Sequence, residues 1–148
     1  MKRLIIVRHG SYGDNGRLND RGRSQIESLT KKIQAMVGSD SIVILSSTAD
    51  RAQESAEILS QMSGEFENHT VLWSESSRPP ENQVVLDLVK TKREADTVIL
   101  VTHYEYVDTF PRFFGIRELN TDLNSRVIEK GEAWIVDCEN KTLDLLQP

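Results

Sequence analysis

The sequence predicts an α/β fold: one three-layer domain, a mostly parallel sheet flanked by helices, closed by an antiparallel C-terminal strand pair. Three observations carry this. Short apolar runs rich in Ile and Val alternate with segments whose apolar residues recur at helical spacing, the pattern of strand–helix–strand units. The run Thr97 to Thr102 is apolar almost throughout, as expected of a central strand covered on both faces. The last two strand-like segments, Ala133 to Cys138 and Thr142 to Leu146, flank Glu139-Asn140-Lys141, a short polar turn that pairs them antiparallel.

Taken in order, the first strand spans Lys2 to Arg8, where Leu4-Ile5-Ile6-Val7 is continuous and apolar. A polar loop from Ser11 to Asp20 follows, broken by Gly13 and Gly16. The first helix is expected from Arg21 to Val37, with Asp20 as N-cap, Gly38 as stop, and Ile26, Leu29, Ile33 and Met36 on its apolar face. The second strand is Ser41 to Ser46. The second helix runs from Asp50 to Met62, with Ala52, Ala56, Leu59 and Ile58 facing inward and Thr48 or Asp50 as its cap. A short third strand is predicted at Val71 to Trp73 and a loop over Glu75 to Pro80. A third helix is predicted from Pro79-Pro80 to Lys92, carrying Val84, Val85, Leu88 and Val89. After the fourth strand a short helix follows His103 and stops near Gly115. Cys138 alternates with Trp134 and Val136 and is expected in the core.

Composition narrows the classes. A chain of 148 residues, 38% hydrophobic and 28% charged, is long enough for a buried core and is expected to be one domain over 1–148. With 18 basic against 23 acidic residues the net charge is −5, which argues against nucleic acid or an anionic membrane as partner. Cys138 is the single cysteine, so no intrachain disulfide and no cysteine-based metal site can form. No apolar run approaches the roughly 18 residues that a membrane helix needs. The N-terminus enters the first strand directly, without a signal-peptide pattern, and the expected location is cytoplasmic.

The chemistry gathers at strand ends. In open α/β sheets ligands bind beyond the carboxyl ends of the strands. Arg8-His9-Gly10 ends the first strand: a guanidinium that grips oxyanions in a fork, an imidazole that can attack phosphorus, and a Gly that permits a sharp turn. Ser46-Ser47-Thr48 ends the second strand, and Arg51 lies in the first turn of the helix after it. A cation is disfavoured at that positive helix end unless an anion is near. Glu75 follows the third strand and His103 the fourth. Parallel strands end on one side, so Arg8, His9, Arg51, Glu75 and His103 are expected to converge on a dianion, with the carboxylate handling a proton. His103, Glu105 and Asp108 are too awkwardly spaced on a helix to share a metal ion, and neither metal nor cofactor is expected.

This order of motifs resembles the histidine phosphatase superfamily, also called phosphoglycerate mutase-like. The resemblance rests on Arg8-His9-Gly10, on Leu18-Asn19-Asp20-Arg21-Gly22-Arg23-Ser24-Gln25, on the stretch from Ser46 to Ala56, and on Val101-Thr102-His103. Together these run from the N-terminus to about residue 110. The resemblance implies a phosphoglycerate mutase-like fold with His9 as a nucleophile that carries phosphate as phosphohistidine. It implies Arg8, Arg51 and His103 as the clamp on the phosphoryl oxygens, Asn15 beside the phosphate, and Glu75 as proton donor, with Asp14, Glu81 and Glu105 as rival carboxylates. Three positions depart from the family's pattern: Ser11 stands where an acid is frequent, Thr48 where Pro is frequent, and Tyr104 where Gly is common.

The chain is short and lacks the long insertion that larger members place over the site. It therefore looks like the small phosphohistidine phosphatases, whose open pocket admits a side chain of a phosphorylated protein. The implied activity is a metal-independent phosphatase acting on a phosphate monoester or phosphoramidate, with phosphate or another oxyanion as the pocket's ligand. A small-molecule phosphatase acting on a sugar or nucleotide phosphate, and a catalytically weak phosphate-binding protein, are the alternatives. Arg78, Tyr12, Tyr104 and Tyr106 are candidates for the pocket mouth.

Overall fold

In the computed structural model the described residues are 1–73 and 78–148. They form a six-stranded sheet of β1 (Arg3–Arg8), β2 (Ile42–Ser46), β3 (Glu67–Asn68), β4 (Thr97–Thr102), β5 (Ala133–Asp137) and β6 (Thr142–Leu146), in the spatial order β3-β2-β4-β1-β5-β6. The first four of that order pair parallel; β5 pairs antiparallel with β1, and β6 antiparallel with β5. Helices α1 (Asp20–Val37), α2 (Asp50–Leu59), α3 (Asn82–Lys90) and α4 (Tyr104–Phe114) cover the two faces.

Side chains alternate across a strand, so each strand feeds both helical layers. Ile5 and Val7 of β1, Ile44 of β2 and Ile99 and Val101 of β4 pack with Ile26, Leu29 and Ile33 of α1 and Ala52, Ala56 and Leu59 of α2. Their neighbours Leu4, Ile6, Leu45, Val98 and Leu100 face the other way, onto Val85, Leu86 and Val89 of α3 and Tyr106, Val107 and Phe110 of α4. The alternation explains why the sheet residues read as unbroken apolar runs: both faces are covered. No described helix is long and apolar enough to cross a membrane.

The structure shifts several expected boundaries. Asn19, not Asp20, caps α1: its Oδ1 accepts the Gly22 N–H at 2.8 Å. Neither Thr48 nor Asp50 caps α2; Ala49 stands at its N-cap with no side-chain bond. Helix α2 ends at Leu59 and tightens into a single 3₁₀ turn over Ser60–Met62. The third strand lies at Glu67–Asn68, four residues before its expected place, while Thr70–Leu72 forms a 3₁₀ turn. The β-branched Val71 drew the strand reading, but its backbone folds back so that Leu72 enters the core. Helix α3 starts at Asn82, past Pro79-Pro80. Met36 and Val84, expected on apolar faces, are exposed, and Val37 takes the inward place on α1. Cys138 lies just past β5 and is half-buried.

One close approach fixes the start of the site. A Cβ on Gly10 would stand 2.7 Å from the carbonyl oxygen of Gly22, and a Cβ on Gly22 would collide with the carbonyl oxygen of Ser11. The two glycines let the exit of β1 lie directly on the first turn of α1. Gly22→Ala is therefore expected to destabilise the fold by about 2–4 kcal/mol, because backbone must move to admit one methyl. Urea unfolding measures this, and a loss below about 0.5 kcal/mol would show that loop and helix part freely.

Candidate active site

Strand register, more than side-chain packing, brings the functional residues together. Arg8 of β1 stands opposite Thr102 of β4, so the next residues, His9 and His103, emerge side by side with ring centroids 5.0 Å apart. On the other flank of β4, Ser46 of β2 stands opposite Val101. Ser47 therefore emerges beside His103, and its Oγ lies 2.8 Å from His103 Nε2. The backbone bonds His9 N–H to Thr102 O at 3.2 Å and Ser47 N–H to Val101 O at 2.9 Å hold the three strand exits in line.

His9 has one available tautomer. Its Nδ1 lies 2.9 Å from the Gly10 carbonyl oxygen, which can only accept, so Nδ1 carries the proton. Its Nε2 receives the Arg51 Nε–H at 3.3 Å, so Nε2 holds a lone pair. The ring is 3% exposed, and burial, reinforced by the Arg51, Arg8 and Lys130 charges, lowers its pKa to about 4. His103 is equally buried; desolvation, with His9, Arg51 and Arg8 adding, lowers its pKa to about 3. Both imidazoles are neutral at physiological pH in the unliganded site. A neutral Nε2 whose opposite nitrogen is anchored is a nucleophile aimed in one direction.

The cavity in front of the rings measures about 170 Å³ and is lined by Arg8, His9, Tyr12, Arg51, Trp73, His103, Tyr104 and Glu105. Arg8 donates from one terminal nitrogen to the Ile128 carbonyl at 2.7 Å, while its buried Nε has no partner among the described residues. Glu105, in the first turn of α4, has a buried Oε2 that is likewise unpartnered. A buried donor and a buried acceptor without partners carry a desolvation cost, and both belong to residues that line the cavity. Around them, Trp73 stacks on His103 with centroids 6.2 Å apart, and the Arg51 guanidinium sits 4.6 Å from the Tyr12 ring centroid. Tyr104 is 50% exposed at the mouth.

Arg8, His9, Arg51 and His103 thus meet as the sequence predicts. Asn15 does not: it is exposed in the turn after Tyr12, and its Oδ1 accepts the Arg17 N–H at 3.0 Å. An Asx turn explains an Asn at that place without a ligand. Glu75 lies outside the described residues. Of the rival carboxylates, Asp14 and Glu81 are exposed and do not line the cavity, whereas Glu105 does. Arg78 and Tyr106 do not line it either; the Tyr106 hydroxyl instead donates to Val71 O and accepts from Glu81 N–H.

The sequence reading passed over Trp73, Lys130 and the framing role of Ser55. Ser55 accepts the Gly10 N–H at 3.1 Å and donates to Arg51 O at 2.7 Å, tying the His9 turn to α2. Its signal was available: a Ser four residues after Arg51 on the buried side of a helix. Lys130 carried none, because it sits in the loop before β5, where Gly131 N–H bonds the Arg8 and His9 carbonyls at 3.1 Å each.

Two imidazoles and two guanidiniums thus stand together at the carboxyl edge of a parallel sheet, an arrangement able to hold an oxyanion. Residues 4–72 match the histidine phosphatase superfamily (branch 1). No curated protein sequence matches the chain significantly. Among solved structures, it is similar to SixA from Agrobacterium tumefaciens, with 18% identity, 99% of each chain covered and a TM-score of 0.73. It is similar to a protein histidine phosphatase SixA complexed with tungstate, with 13% identity, 97% of this chain and 94% of that one covered, and a TM-score of 0.71. It is also similar to a mycobacterial glucosyl-3-phosphoglycerate phosphatase complexed with VO3, with 14% identity, 99% and 98% covered, and a TM-score of 0.70. The chain has the phosphoglycerate mutase-like fold of these SixA structures.

Proposed function

We propose that the protein hydrolyses a phosphate monoester or phosphoramidate through a phosphohistidine formed at Nε2 of His9, with a phosphohistidine-bearing protein as substrate. The observation that carries this is the single-tautomer, neutral His9, whose Nε2 lone pair meets the Arg51 guanidinium in a cavity also lined by Arg8, His103 and Glu105. His9 attacks phosphorus, the bond to the leaving atom breaks, and Glu105 serves as the general acid that gives that atom a proton. Arg8, Arg51 and His103 neutralise the phosphoryl oxygens as charge moves. Water then attacks the phosphohistidine and yields a proton to the Glu105 carboxylate. The P–N bond breaks, phosphate leaves, and His9 is neutral again. Glu75, the donor implied by the resemblance, stands as the rival for that role.

The size of the cavity supports a side-chain substrate. Sites that enclose a whole drug-sized ligand measure roughly 300–1,000 Å³, and about 170 Å³ holds a phosphoryl group and the atoms next to it. Some of the similar structures are SixA phosphohistidine phosphatases by name, whereas the mycobacterial one is by name a glucosyl-3-phosphoglycerate phosphatase. Phosphate release from a phosphohistidine protein and from an aryl phosphate, both in chelator, tests the reading. Faster turnover of the phosphohistidine protein is expected, and turnover of small esters alone would overturn the protein substrate.

Glu105→Gln separates the acids. The amide keeps the shape and cannot give up a proton, so hydrolysis of an alkyl phosphate, a poor leaving group, is expected to fall about 100-fold. Hydrolysis of a nitrophenyl phosphate, whose leaving group needs no proton, is expected to fall by less than about fivefold. Equal losses on both, or none on either, would return the role to Glu75.

A further inference from the structure

Beside the phosphoryl cavity lies a second cleft that the reaction does not use. It measures about 480 Å³ and is lined by Arg8, Ser11, Arg21, Gln25, Glu129 and Lys130. Arg8 lines both spaces. Lys130 Nζ sits 4.7 Å from the Tyr12 ring centroid, over the same ring as Arg51, so the two spaces share a wall as well. We propose that this cleft binds a second anionic group of the substrate, a carboxylate or phosphate carried next to the phosphoryl group being removed.

The charge balance argues for it. Three cations, Arg8, Arg21 and Lys130, face one carboxylate, Glu129, in a chain whose net charge is −5. Several cations elsewhere pair with acids: Arg3 with Asp40, Arg17 and Arg23 with Glu54, Lys92 with Glu67, Arg112 with Asp122. Among the described residues none of Arg8, Arg21 or Lys130 has a carboxylate within 4.0 Å. Like charges left together without counter-charges repel, and a bound anion relieves that repulsion.

The neutral members of the cleft fit the same ligand. Ser11 N–H is bonded to Gln25 Oε1 at 2.9 Å, which orients the Gln25 amide, and the Ser11 hydroxyl accepts from Asn19 Nδ2 at 3.3 Å, leaving its own proton to donate. Ser11 carries no charge that would repel an anion there. The cleft therefore suits a bidentate anion held by Arg21 and Lys130 with hydroxyl support. Two sources of such an anion share this chemistry: an acidic side chain next to the phosphorylated residue of a protein, and the second acid group of a small phosphorylated metabolite.

This inference rests on the phosphatase reading only for what occupies the first cavity, so binding tests it without turnover. Affinities are measured by calorimetry for benzylphosphonate and carboxybenzylphosphonates in one arm. The other arm uses peptides bearing a non-hydrolysable phosphohistidine analogue flanked by Glu or by Gln. In the wild type the carboxylate is expected to tighten binding at least about tenfold in one arm, which identifies the source. In the double variant R21Q/K130Q that advantage, taken as the ratio of the two affinities within the variant, is expected to vanish. Residual binding of plain benzylphosphonate, weakened by loss of the Lys130 charge beside His9, and an unchanged circular dichroism spectrum report that the fold persists. A wild type that binds both members of each pair alike would overturn the proposal, as would an advantage that survives in the double variant. Tight bis-anion binding without turnover of any phosphate compound would uphold this inference and remove the phosphatase one.

Discussion

His9→Ala is expected to lower phosphate release by at least about 10⁴-fold while leaving oxyanion binding within about tenfold of wild type. The two halves have separate causes. Turnover needs the His9 Nε2 lone pair, whose 3.3 Å bond comes from a guanidinium that an oxyanion draws away, whereas His103 Nε2 is held more tightly, by Ser47 Oγ at 2.8 Å. Binding, in contrast, is expected to rest on the Arg8 and Arg51 guanidiniums and His103, which line the same cavity and which the substitution leaves standing. Loss of the ring also frees Arg51, whose Nε–H spends its bond on His9 Nε2 in the empty site. Tungstate or vanadate binding by calorimetry measures one half. Phosphate release, with acid-labile phosphoprotein trapped from the wild type and absent from the variant, measures the other. A variant that keeps more than about a hundredth of the activity would mean that water attacks phosphorus directly and that His9 only binds.

The fold and four of the site residues were legible because strand ends and register determine them. Once Leu4 to Val7 and Thr97 to Thr102 are taken as adjacent parallel strands, His9 and His103 must emerge together. Their meeting is a consequence of backbone pairing that any apolar run announces. Arg51 was legible for an electrostatic reason, as a cation at the wrong end of a helix. What failed was decided by loop geometry. Asn15 at an Asx turn and Asn at a phosphate site look the same in one sequence, because both exploit the same short amide. The third strand slipped because Val71 and Leu72 have strand-like side chains, yet a 3₁₀ turn buries Leu72 with fewer residues. Lys130 was invisible since it reaches the site across the loop before β5, a contact that carries no periodicity.

Acid is expected to destabilise the empty protein well before its carboxylates titrate. In the unfolded chain both site imidazoles have the ordinary pKa of 6.5, but in the fold they fall to about 4 for His9 and about 3 for His103. Below 6.5 the unfolded chain takes up protons that the folded site refuses, so stability is full above 6.5 and declines as pH falls toward 4. The loss from His9 alone is about 3 kcal/mol, at 1.36 kcal/mol per pH unit, and His103 acts in the same direction. Against a typical total of 5–15 kcal/mol this is large. Asp40, Asp137 and Glu67 have pKa values held below their ordinary ones by Lys2, Asn140 and Lys92, so their losses come at lower pH. Urea midpoints between pH 7 and 4.5 therefore isolate the imidazoles. The wild-type curve is expected to slope downward there, and the His9→Gln and His103→Gln curves to be flatter. Parallel curves for all three proteins would show that the rings titrate normally and are not sequestered. Tungstate should flatten the wild-type slope as well: a dianion against the rings favours their charged forms, raises both pKa values, and reverses the cause of the loss. The same neutrality serves the reaction, since a ring that resists protonation down to about pH 4 keeps its lone pair for phosphorus throughout the physiological range.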